Sequence, residues 1–265
     1  MPKIRQPAVA GLFYPADPIQ LRQMVQEFLR DAKSGDGAPP KAIIAPHAGY
    51  IYSGPVAASA YVRLAPLRGK VTRVVLLGPS HRVGFLGLAS SSADAFRTPL
   101  GDIPLDHAAI DAIAALPQVH VLDEAHSMEH SLEVHLPFLQ EVLGEFALVP
   151  LVVGDASGQE VEEVLEQLWG GPETLIVISS DLSHYHDYAT AQAMDRSTAQ
   201  AIEELRYQDL RSEGACGRNP VRGLLLAARR LGLQAATIDL RNSGDTAGPR
   251  DQVVGYGAWL FREAA

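Results

Sequence analysis

The sequence predicts a single α/β domain, with a mostly parallel central sheet and helices on both faces. Three observations predict it. Apolar, strand-like runs alternate with segments of helical period along all 265 residues. Four of those runs end in polar segments rich in histidine and aspartate. No linker, repeat or low-complexity tract marks a boundary, so residues 1–265 read as one domain.

The elements follow in order. Residues 17–33 predict a helix: Asp17 caps it, Pro18 suits its first turn, and Leu21, Met24, Val25, Phe28 and Leu29 form its apolar stripe. After a loop over 34–40, the run Ala42-Ile43-Ile44-Ala45 predicts a buried strand that delivers His47. Gly54-Pro55 opens a helix of small residues reaching Leu64. Val74-Val75-Leu76-Leu77 predicts a second strand, which delivers His81. Residues 83–105, rich in Gly, Ser and Pro, read as a hairpin or a lid.

A helix is expected over 106–116 and a short strand over 119–122. The next helix, 131–143, must hold Pro137 in an early turn or kink there. A strand over 146–153 and an amphipathic helix over 157–169 precede Leu175-Ile176-Val177-Ile178. That strand runs into Ser179-Ser180-Asp181-Leu182-Ser183-His184. Helices over 189–205 and 220–231 follow. Ala236 to Leu240 then runs into Asn242-Ser243-Gly244-Asp245, and 252–261 closes the chain as a strand.

Composition narrows the function. A net charge of −9 argues against a nucleic-acid partner, because phosphate backbones demand a basic face. The one cysteine, Cys216, excludes an intrachain disulfide and Cys-rich zinc sites. The N-terminus lacks the apolar core of a signal peptide, and no apolar run reaches membrane-spanning length. The expectation is a cytoplasmic protein with no membrane partner. No G-x-G-x-x-G or P-loop pattern marks a nucleotide site.

Open α/β sheets bind ligands beyond the carboxyl ends of their strands. His47 and His81 hold equivalent places after two strands separated by one helix, which suggests a shared metal ion. Asp181 has two readings: a cap for the following helix, or the partner that orients His184 as a general acid or base. His130 is expected to face the crevice with Glu133 near it, and Ser131 to cap a helix. His107, His120, His126, His135 and His186 read as surface or packing residues.

Asp245 is either part of a Gly-Asp turn or the carboxylate of a metal site. Two histidines and one carboxylate match the facial triad of non-haem iron(II) oxygenases, and the same set suits zinc. Cys216, ahead of a helix, reads first as a buried structural thiol. A thiol lowered in pKa by the helix N-terminus is the alternative.

Several segments together resemble the Memo family, named AmmeMemoRadiSam system protein B in prokaryotes. They are Gln6-Pro7-Ala8-Val9-Ala10-Gly11-Leu12-Phe13-Tyr14-Pro15, Ala45-Pro46-His47-Ala48-Gly49-Tyr50, Leu77-Gly78-Pro79-Ser80-His81, Glu129-His130-Ser131-Leu132-Glu133-Val134, Ser179-Ser180-Asp181-Leu182-Ser183-His184, Cys216-Gly217-Arg218, Asn242-Ser243-Gly244-Asp245 and Val253-Val254-Gly255-Tyr256. The resemblance implies a fold similar to class III extradiol ring-cleavage dioxygenases, with His47 and His81 as metal ligands. It also implies that His184 sits where those enzymes keep a catalytic histidine.

Eukaryotic members carry a cysteine as third metal-site residue. Aligned without gaps, that position falls on Thr246, beside Asp245, which is the more sensible ligand. The expected ion is iron(II), with zinc or copper as alternatives. The expected activity is dioxygenase-like, on an unidentified small molecule. Two other readings stay open. One is a zinc-dependent hydrolase. The other is a non-catalytic module that binds a peptide or small ligand and works with AMMECR-type and radical S-adenosylmethionine partners.

Overall fold

The computed structural model describes residues 2–35 and 37–263. The chain opens with β1 (Ile4–Arg5) and α1 (Pro18–Asp31); the Asp17 carboxylate accepts the Ile19 and Gln20 amides and so caps the helix. β2 (Ala42–Ala45) and α2 (Tyr50–Tyr61) lead through a 3-10 turn to β3 (Arg73–Pro79). Three short strands follow, β4 (Leu88–Ser90), β5 (Ala95–Thr98) and β6 (Gly101–Pro104). Then come α3 (His107–Ile113), β7 (Val119–Val121) and α4 (Asp123–Ser127).

A 3-10 turn (Glu133–His135) runs into α5 (Leu136–Leu143), which carries Pro137 in its first turn, where a missing N–H costs nothing. The remaining elements are β8 (Ala147–Val153), α6 (Gly158–Leu168), β9 (Thr174–Ser179), β10 (His184–His186), α7 (Tyr188–Glu203), α8 (Arg218–Leu231), β11 (Leu233–Asn242), α9 (Ser243–Thr246) and β12 (Val253–Glu263). No helix among the described residues is long and apolar enough to cross a membrane.

The main sheet runs β10-β12-β2-β9-β3-β8-β4-β7, and β11 pairs along β12. It is parallel at its centre and mixed toward its edges. The centre, β2-β9-β3-β8, is parallel, and so is β4-β7; β12 is antiparallel to β2, β10 and β11, and β4 is antiparallel to β8. The short links after β3 and after β11 explain the reversals, since a parallel return needs a crossover of a dozen or more residues.

The central strands are buried along almost their whole length. That is why they read as continuous apolar runs rather than alternating ones. Helices flank the sheet: α6 packs with α8 near β3 and β9, while α2 packs with α1 and α5 and against β12. Residues 83–105 form no lid. They supply β4 and the β5–β6 hairpin, which joins β1 in a separate three-stranded sheet.

Register sets the site. Ala45 pairs with Ser179, and Ile178 pairs with Leu77, so β2, β9 and β3 end side by side. The loop after β9 is then pinned from α7. Asp195, buried, accepts the Ser183 amide at 3.0 Å and lies against Gly255, where a Cβ would stand 2.0 Å from its Oδ2. The Leu182 and Gly255 amides bond across the same junction, each at 2.8 Å.

Burial pushes the Asp195 carboxyl up to about 6, against the Ser183 hydrogen bonds that favour its charged form. A carboxyl whose folded pKa is raised stabilises the fold below its unfolded pKa and loses that stabilisation as pH climbs through the folded value. The parent should therefore lose roughly 3 kcal/mol on this account between about pH 4 and 6. Asp195→Asn keeps the acceptor for Ser183 and removes the titration. Denaturant unfolding at pH 4 and pH 7 should show the variant gaining on the parent as pH rises; parallel pH profiles would contradict it.

Candidate metal centre

Ser179, last residue of β9, fixes the chemistry of His47. The Ser179 hydroxyl has one proton and gives it to the Ser131 carbonyl at 2.6 Å. Its contact with His47 Nδ1, also 2.6 Å, must then be a bond donated by the ring. His47 is thereby held as the Nδ1–H tautomer, with a bare lone pair on Nε2. Burial, and then the neighbouring imidazoles, hold its pKa well below the ordinary histidine value, so the ring is neutral. A neutral, oriented imidazole is what a metal ion requires.

His81 is prepared in the same way by a different group. Glu129 accepts the His81 amide at 2.6 Å and His81 Nδ1 at 2.8 Å. The same carboxylate takes the His130 and Ser131 amides, each at 2.9 Å. Burial works to raise the Glu129 pKa, but the His81 and backbone donors outweigh it and hold the group at about 2. A carboxylate behind a ligating histidine fixes the ring and raises its basicity.

The third convergent group is Cys216. Its Sγ lies 3.4 Å from His47 Nε2, and donor atoms of His47, His81 and Cys216 all fall within 4.8 Å of one another. Gly217 allows this approach: a Cβ there would meet the Ser179 carbonyl at 2.4 Å, and its amide bonds to Ser180 Oγ at 3.1 Å. Burial, and then the charge of Asp181, pushes the bare thiol well up from its ordinary pKa. A bound cation would reverse that and take the thiolate. Two imidazole lone pairs and one thiol sulfur, with an open side, fit a single transition-metal ion.

The other expected residues divide. Asp181 lies in the cluster but does not orient His184 through a hydrogen bond. Its Oδ1 accepts the His47 amide at 2.7 Å, and its Oδ2 stands 4.0 Å from His47 Nε2. Burial pushes it up to about 7, against those hydrogen bonds. His130 lines the site: its ring centroid is 4.6 Å from that of His81 and 5.5 Å from that of His47, and burial lowers it to about 4. His184 is half-buried at the start of β10, its pKa lowered by burial and then by nearby histidine charge.

Asp245 is not among the convergent groups. It sits in α9, where it accepts the Asn242 amide at 3.1 Å and the Tyr188 hydroxyl at 2.5 Å. β11 precedes it, and β11 is separated from β2 by β12, roughly 10 Å away at sheet spacing. Thr246 is no closer in role; its hydroxyl donates to the Ser243 carbonyl. Glu133 is structural. It binds the Arg5 guanidinium, the Ala8 and Val9 amides and the Tyr14 hydroxyl, tying the N-terminal segment under the site.

Sequence reading gave no role to Glu129 or Ser179 and read Cys216 first as a structural thiol. Only the Cys-Gly-Arg segment ahead of a helix signalled the cysteine. His107 and His120 are exposed; His126 and His135 are buried, bonding the Ala89 carbonyl and the Tyr61 hydroxyl.

Fold and site thus define an α/β protein with a His–His–Cys cluster at the carboxyl edge of its sheet. The family model of Memo-like proteins matches residues 5–260, and the chain belongs to the Memo family. It is 36% identical to a MEMO1 family protein of Sulfolobus acidocaldarius, over 96% of this chain and 97% of the other. A relative from Methanopyrus kandleri is 37% identical, over 97% and 99%, and one from Aquifex aeolicus 36%, over 98% and 99%. In fold it is similar to the crystal structure of an uncharacterized protein, JW3007, from Escherichia coli K12. The TM-score is 0.54 at 13% identity, covering 83% of this chain and 98% of that one.

Glu129→Gln should weaken metal uptake about 10- to 100-fold while the fold is retained, since the neutral amide accepts less strongly from His81. Competition with a chelator of known affinity measures it. Gly217→Ala should weaken uptake too, through displacement of Cys216, and its melting temperature should drop as well.

Proposed function

We propose that this chain is a metal-dependent enzyme whose ion is held by His47, His81 and Cys216, and that it acts on a small molecule in dioxygenase-like chemistry. One observation carries the reading: two histidines whose Nδ1 protons are committed elsewhere converge with a thiol on one point. Structural histidines do not need both tautomers locked toward a shared space.

A bound iron(II) or copper ion would supply Lewis acidity and one-electron chemistry at the open side of the three donors. The chain's own groups handle protons. Without an ion, burial raises Asp181 to about 7, and its carboxylate stands 4.0 Å from His47 Nε2, where it can hold or pass a proton. His130 and His184, both lowered in pKa, are neutral there and can accept one. Phe13 packs on His130 at 4.8 Å between ring centroids and covers one side of the site.

The thiol supports a second reading. Thiolate ligands favour zinc and copper(I) over iron(II), and zinc with an open fourth position can activate a water for hydrolysis. A binding module working with AMMECR-type and radical S-adenosylmethionine partners would keep the fold and need no turnover.

The test is metal analysis of untagged protein purified without chelator, followed by assay with a catechol panel under iron loading and then oxygen. The parent should hold about one ion per chain. His47→Ala and His81→Ala should lose it, Cys216→Ala should bind at least tenfold more weakly, and Asp245→Ala should bind like the parent. Uptake by His47→Ala at the parent's level would refute the site. Ring-opened product selects the oxygenase, turnover with zinc alone selects the hydrolase, and partner binding without turnover selects the module.

A further inference from the structure

We infer that the cleft beside the metal site takes a small organic anion, a carboxylate or a phosphate ester, whose charged end is held by Arg218. The inference rests on the reading above in treating this cleft as the substrate's place, and its test does not need the metal.

A cavity of about 340 Å³ opens beside Cys216, between the segment after β3 and the start of α8. That is the lower end of the size that holds a small ligand. Pro79, Val83 and Phe85 give it apolar walls. Its shape is built in: at Gly154 a Cβ would stand 2.3 Å from the Phe85 carbonyl, so the 83–85 segment lies directly on the end of β8.

Arg218 lines this cavity as the first residue of α8 and is half-buried. Among the described residues its side chain makes no hydrogen bond and no ion pair, while its amide donates to the Ala215 carbonyl at 3.3 Å. A guanidinium without a partner on a cavity wall is matched to an incoming anion, most simply by two parallel hydrogen bonds.

One further feature acts in the same sense. The 14-residue α8 points its N-terminus, with no side-chain cap, at this place. Asp155 lines the same cavity and opposes them, but it is exposed, and water screens it more than the half-buried Arg218. A substrate anchored by its anionic end here would lie with its body toward Cys216, and so toward His47 and His81.

The test uses chelator-stripped full-length protein and three probes of one shape: benzoate, phenyl phosphate and benzyl alcohol. Titrations followed by calorimetry and NMR should show that benzoate or phenyl phosphate binds, and which of them binds better identifies carboxylate or phosphate as the natural group. Arg218→Gln should weaken the anions at least tenfold, Arg218→Lys should restore part of the loss, and neither should change benzyl alcohol binding. On the parent, the bound anion should shift the Arg218 Nε–H resonance, a readout that survives if a variant fails to fold. Equal anion binding by Arg218→Gln, or none by the parent, overturns the inference. Metal content of the same preparations separates the two ideas: anion binding that depends on Arg218 in a protein that takes up no metal leaves this inference standing and removes the enzyme reading.

Discussion

Three neighbouring parallel strands have to end together for this site to exist. β2, β9 and β3 are hydrogen-bonded in register, so Ala45, Ser179 and Gly78 form one row across the sheet. Strand spacing near 4.8 Å then sets the separation of the chains that leave them. His47 and Asp181 lie two residues past that row and His81 three. Nothing in the loops needs to reach far, and the groups meet because the ladders do not allow them to part.

Polar groups brought to a buried edge need partners, and the structure supplies them with little redundancy. Glu129 is buried and charged, and four N–H donors from His81, His130 and Ser131 satisfy it. Glu133 is buried, and Arg5, two amides and Tyr14 satisfy it. Arg5 also donates to the carbonyls of His126 and Glu129 at 3.0 and 2.6 Å. The N-terminal segment, far away in sequence, is thus part of what holds the 129–133 loop over the sheet edge. Removing one partner would leave a buried charge unmatched, which costs far more than the pair contributes.

The approach of Cys216 depends on a different constraint. Backbone meets backbone at Gly217 and Ser179, closer than any side chain permits. The helix that follows brings its own N-terminus and Arg218 to the same edge. One close contact therefore places the thiol, a helix dipole and a cation together, and the chemistry of the cleft follows from a missing Cβ.

Much of this was legible from the chain. The apolar runs 42–45, 74–77 and 175–178 are fully buried strands, because only strands covered on both faces can be apolar at every position. The placement of His47, His81 and Asp181 followed from those runs and from the rule that strand ends gather ligands. Asp17 as a cap and Pro137 in a first turn were equally readable, since both are local matters. What periodicity could not say was strand order and direction. Asp245 follows a strand just as His47 does, but β12 lies between β11 and β2 and turns that carboxylate into the cap of a four-residue helix. Cys216 follows no strand at all and was brought in by the packing of α8. Sequence fixes which segments are apolar and which residues leave them, because these are properties of neighbours along the chain. Which of those residues share a space is decided by hydrogen-bonded register and close backbone contact between segments distant along the chain.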